Sequence, residues 1–250
     1  MKKHTSVLGL IARQSFYKIL LVFLLLCGAE LFLFYRALAR AEETYLAIGS
    51  FPRPESLISG SGFGILLAVA FFAIFTLLCL TANEYGVKSG YTVRRLSIDE
   101  RFFYMWCAIY SFIMLFVLWA LETVTVYLMC ALYVSAAPME LVSHQTVMLA
   151  FYRHELMHAL LPLADVGLWV RNALLLFSLS LSAATFSYQS RRGRFGFSSL
   201  ALALYALALF KSGIGDGFRL FSSVLVFIVI VLETIYCLAK KEEVYQDGEE

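Results

Sequence analysis

Five consecutive residues, His154-Glu155-Leu156-Met157-His158, spell H-E-x-x-H. On an α-helix, histidines at i and i+4 share a face that suits Zn2+, and the intervening glutamate can act as general base for water attack on a peptide bond. Such a centre needs a third protein ligand. Asp165 lies beyond Pro162 and fits none of the extended zincin spacings. Glu233, the acidic residue of the later apolar segments, falls near the opposite membrane face. His144 is close in sequence, but if residues 140–161 are one helix, a rise of about 1.5 Å per residue puts it roughly 15 Å from His154 along the axis. The competing reading is an amphipathic surface helix whose His154, His158 and Arg153 face water or lipid head groups. The catalytic alternative is a membrane-embedded zinc metallopeptidase, with His154 and His158 as ligands and Glu155 as base.

Two further carboxylates stand inside apolar runs: Glu30 and Glu122. A lone carboxylate in hydrocarbon is costly, so each is expected to face the helix bundle, be protonated, or pair with a base such as Arg36 or Arg171. Their roles divide between a polar lining for a transported molecule and a packing hydrogen bond between spans. The five cysteines all fall in apolar segments with no metal-ligand spacing, and read as small hydrophobes. No G-x-x-x-x-G-K-[ST] occurs, so a P-loop nucleotide site is not expected in this chain. Ser198 and Ser199 have no histidine or acid at a useful spacing for a serine hydrolase.

These residues sit in a chain that is 61% hydrophobic and 15% charged, with a mean hydropathy of +0.78. That composition excludes an ordinary soluble domain and predicts an all-α integral membrane protein. Six transmembrane helices are expected, over residues 19–38, 62–82, 102–134, 166–188, 195–210 and 218–239, each near the roughly 20 residues that cross a bilayer. Residues 1–18 place Leu8, Ile11, Ala12 and Ser15 on one stripe between basic residues, which predicts an N-terminal interfacial helix. An exoplasmic amphipathic helix is expected in the loop 135–165, between spans three and four. With both termini cytoplasmic, thirteen Lys and Arg fall inside and seven outside, the sign the positive-inside rule requires. The acidic tail 240–250 then lies in the cytosol. All four prolines fall outside the expected spans, which disfavours the broken helices of many transporter ion sites. No basic aromatic stripe suggests nucleic acid.

The longest polar island on the cytoplasmic side is 83–101, NEYGVKSGYTVRRLSIDER. Tyr91, Val93 and Leu96 beside Arg94 and Arg95 suit a short amphipathic helix on the membrane surface, and Ser97 with Glu100 forms a capping box that starts the next helix near Ile98. A plain solvated, topology-setting loop is the simpler reading of the same residues. The surface helix before span one, this basic island between spans two and three, and the long third span resemble the permease subunits of ABC-2 type exporters. Glu84 and the run from Tyr91 to Arg101 carry the likeness most closely. Residues 149–163 followed by Val170-Arg171-Asn172 look like an exoplasmic stretch of related bacterial permeases. The family's larger exoplasmic element usually lies between spans five and six, whereas here it falls between three and four.

The resemblance implies a multi-pass subunit of a bacterial plasma membrane. Its coupling helix, Tyr91, Val93, Arg94, Arg95 and Leu96, would dock into a separate P-loop ABC ATPase. ATP and Mg would be held by that partner, with no cofactor in this chain. A second permease subunit, identical or related, and membrane lipid complete the implied partners. An accessory subunit without a transport path is the further alternative.

Overall fold

The structure, a computed structural model, describes residues 2–81, 100–140, 142–143, 145–190, 196–211 and 216–246. Among these the secondary structure is helical, without strands: α1 (Lys2–Ile48), α2 (Pro54–Gly60), α3 (Phe63–Leu80), α4 (Glu100–Ala136), α5 (Thr146–Arg153), α6 (Glu155–Leu160), α7 (Val166–Ser190), α8 (Phe197–Lys211) and α9 (Asp216–Gln246). Five stretches are long and apolar enough to cross a membrane: Ile11–Ile48, Phe63–Leu80, Arg101–Ala136, Val166–Ser190 and Gly217–Ala239. The chain is therefore a multi-pass membrane protein whose described spans are all helices.

The expected fifth span is the exception. Among the described residues it forms α8, whose 15 residues rise about 22 Å at 1.5 Å per residue, against a hydrocarbon core of roughly 30 Å; residues 212–215, which follow it, lie outside the described residues. The expected interfacial helix is not separate either, because α1 runs unbroken for 47 residues through both stretches. It stops where Gly49 adopts φ 73° and its N–H closes on Tyr45 O at 2.8 Å. A glycine just past a helix end accepts this left-handed backbone without steric cost. The expected coupling residues Tyr91, Val93, Arg94, Arg95 and Leu96 lie outside the described residues, as does the proposed start at Ile98; the described helix begins at Glu100.

The chain forms two compact units. One comprises Leu20–Ala73 and Val117–Val166. Its core joins Phe34, Leu38 and Ala41 of α1 to Val126, Met129, Cys130 and Tyr133 of α4, with Leu57 and Ile58 of α2, Phe63 of α3 and Met157 of α6. Residues spaced by three and four put one stripe of each long helix into this core. Beyond the stripes, Phe51 packs between Tyr45 and Tyr133, with ring centroids 5.9 and 5.6 Å away. Glu30 and Glu122 mark the other end, so α1 and α4 run side by side in the same direction here.

The second unit comprises Met1–Ile19, Ile74–Phe116 and Gly167–Glu250. Its centre is the small-residue stretch of α7, where Ser178, Ser180, Ser182, Ala183, Ala184, Thr185 and Ser187 are buried. Small side chains let helices approach closely, and three of the hydroxyls donate to backbone of the preceding turn: Ser178 to Leu174 O at 2.8 Å, Ser180 to Phe177 O at 2.8 Å and Thr185 to Leu181 O at 2.9 Å. Tyr104 of α4 reaches this stretch: its hydroxyl lies 3.0 Å from Thr185 Oγ1, 3.2 Å from Thr234 Oγ1 and 3.2 Å from Leu181 O. Phe112 stacks on Phe177 at 4.7 Å.

Candidate functional site

The apolar stripes of α1 and α4 bring Glu30 and Glu122 together, each with 1% of its surface exposed. Their carboxyl groups face one another, and among the described residues none of the four oxygens has an aligned hydrogen-bond donor. Ionised carboxylates are acceptors only, so this contact becomes a hydrogen bond only when one of them carries a proton. Two ionised carboxylates facing one another away from water repel, so leaving both charged is unfavourable. One turn away on each helix, Cys27 Sγ sits 3.4 Å from Thr125 Oγ1, and Thr125 donates back to Leu121 O at 3.0 Å. The sequence singled out both glutamates as unusual, but the contact that forms is carboxyl on carboxyl, where a basic partner was one expectation.

The H-E-x-x-H stretch does not lie on one helix. His154 separates α5 from α6 with an extended backbone, φ −96° and ψ 117°, and serves as N-cap of α6. Its Nδ1 accepts from the Met157 N–H at 3.3 Å. That leaves the proton on Nε2, which donates to Ser59 Oγ at 2.9 Å, while Ser59 passes its own hydroxyl proton to Glu55 O at 2.9 Å. Burial holds His154 below the usual histidine pKa, although Glu155 and Glu55 pull the other way. With both ring nitrogens engaged, His154 offers no free lone pair to a metal. His158 instead stacks on Tyr152 at 5.7 Å, and Glu155 is exposed. Among the described residues no three His, Cys, Asp or Glu side chains converge as a metal site requires. His144 lies outside the described residues.

The α5–α6 pair also departs from the single surface helix expected for 135–165. Trp119 Nε1 donates to Leu160 O at 2.9 Å, and Trp119 stands close to the middle of α4. The segment after Ala136 therefore folds back beside α4 by about 25 Å, taking 1.5 Å per residue over the turns between Trp119 and Ala136. Beside so apolar a helix, the carbonyls at the end of α6 need partners from the protein, and the indole supplies one. The folded-back pair is held by α2 at the junction of its two helices, through Ser59–His154 and a half-exposed Arg153–Glu55 ion pair of 3.5 Å. Leu156 packs against the start of α3, where a Cβ on Gly64 would stand 3.0 Å from Leu156 Cδ1. Sequence reasoning missed this arrangement; the nearest signals were Gly64 and the apolar residues flanking His154.

In the other unit Glu233 is already engaged, accepting from Ser198 Oγ at 2.8 Å and Gln189 Nε2 at 3.3 Å. Arg171, 1% exposed, directs Nε and Nη2 to Asn172 Oδ1 at 3.3 and 2.9 Å. Compared with known proteins, the chain matches no family model, no curated protein and no solved structure.

Proposed function

We propose that this chain is a membrane-spanning permease subunit of an ATP-driven exporter in a bacterial plasma membrane. In this reading a separate P-loop ATPase binds ATP and Mg and docks on the island 83–101, and a second permease subunit completes the membrane domain. The observation that carries the reading is the unbroken course of α4. Its described part begins at Glu100, within the island, and runs 37 residues through Glu122 to Ala136. At about 1.5 Å per residue, Glu122 lies roughly 33 Å along this helix from Glu100. A push on the island is thereby delivered to the level of a buried polar contact, the kind of intramembrane group that marks a transport path.

Docking makes Val93 and Leu96 the apolar anchors and Arg94 and Arg95 the polar rim. Buried anchors carry most of an interface's energy, while rim charges act on rate and salt dependence. Leu96→Ala is expected to weaken association with the ATPase by about 1 to 2 kcal/mol, and Arg94→Ala by less, with an effect that fades as salt rises. Co-purification of both variants with a co-expressed P-loop ATPase, at low and high salt, reads the difference. An unchanged ATPase yield for Leu96→Ala removes the docking role of that residue. An island serving topology alone reverses the ranking, with arginine loss disturbing insertion.

A further inference from the structure

Three features of the Glu30–Glu122 contact call for a ligand. Both side chains are 1% exposed, they come from different helices, and all four carboxyl oxygens lack a hydrogen-bond donor among the described residues. Acceptors buried away from water without a donor are costly, and two facing carboxylates add mutual repulsion to that cost. Something positive must therefore enter the contact. A hard metal cation is a poor fit, because calcium takes six to eight oxygens and magnesium a near-ideal octahedron. Here the neighbouring side chains are the Cys27 thiol and the Thr125 hydroxyl, whose proton is committed to Leu121 O. A proton requires only what is present: one carboxyl to carry it and the facing carboxyl to accept from it.

We propose that Glu30 and Glu122 form a proton-binding site, in which a protonated carboxyl on one of the two helices donates to the carboxyl of the other. The O–H bond of the donor and the hydrogen bond to the acceptor replace two unsatisfied oxygens with a satisfied pair. Loss of that proton turns attraction between α1 and α4 into repulsion, so the occupancy of the site is felt by both helices. The site stands independently of the exporter reading, since it needs no partner protein.

The test is infrared spectroscopy of the full chain at neutral pH, purified in a detergent without ester carbonyls. Water-exposed carboxyls are ionised there and do not contribute a protonated-carboxyl band. The wild type is expected to show such a band and to shift it in D2O. The double variant Glu30→Gln with Glu122→Gln is expected to abolish it while keeping the fold, because two facing amides can hydrogen-bond one another as the protonated pair does. A wild type without the band, or a band that survives both substitutions, overturns the proposal. A parallel measurement compares thermal unfolding of the wild type in sodium, potassium, calcium and tetramethylammonium chlorides at equal ionic strength. Closely similar midpoints agree with a proton. A rise specific to one metal ion overturns the proposal in favour of a cation site. Both the band and the salt comparison are read on the wild type, so they decide the matter even if a variant fails to fold.

Discussion

At the scale of single residues, His154 shows how a catalytic-looking motif is taken over by structure. Its Nδ1 caps α6 through Met157 and its Nε2 ties α6 to Ser59, so the neutral ring is the one that fits both bonds. Protonation of Nδ1 removes the cap acceptor, and the burial that lowers the pKa of His154 opposes the charged form. A base whose folded pKa is lowered binds protons more readily when unfolded. Stability is therefore full above the ordinary histidine range and is lost as pH falls through about 6.5 toward the lowered folded value. The wild-type melting temperature is expected to drop across that window. His154→Asn keeps a good N-cap acceptor but cannot titrate, so its drop should be smaller. Equal pH profiles for the two proteins in the same detergent exclude this role for His154.

Elements explain why the loop 135–165 is more than a connection. A helix pair folded back beside α4 must satisfy its own terminal carbonyls from within the protein, and Trp119 to Leu160 O is the bond that does so at the end of α6. Trp119→Phe keeps a large aromatic side chain and deletes the donor. It is expected to cost about 1 kcal/mol, the usual net value of one hydrogen bond, and to speed hydrogen exchange within Glu155–Leu160 more than elsewhere in the unit. Unchanged exchange in that segment removes Trp119 as its anchor. The alternation of long apolar runs with Gly, Pro and charged connections made most helices legible in advance. The break at His154 was not, because residues 146–160 contain neither proline nor glycine. What bends the backbone there is a side-chain cap whose second partner, Ser59, is 95 residues away.

For the whole molecule, the proposed orientation is the one expected from six spans, which divide Lys and Arg thirteen against seven; under the positive-inside rule it assigns 83–101 to the cytoplasm and the α5–α6 segment to the opposite side. Membrane-impermeant thiol labelling is expected to modify a cysteine introduced at Ser143 and to spare one introduced at Ser89; the opposite pattern inverts the topology and removes the docking scheme with it. Composition alone determined that this is a helical membrane protein, because a bilayer accepts long stretches of apolar chain only when each backbone group is bonded within its own helix. Sequence likewise exposed Glu30 and Glu122, since an ionisable residue in an apolar run is conspicuous wherever it lies. Only the tertiary structure decided that the two carboxyls meet, that α1 continues unbroken through its basic N-terminal stretch, and that the H-E-x-x-H residues serve a cap and a ring stack. Those outcomes depend on which faces of distant helices are pressed together, and burial energy is set by that packing across many turns, which the order of residues along one helix does not contain.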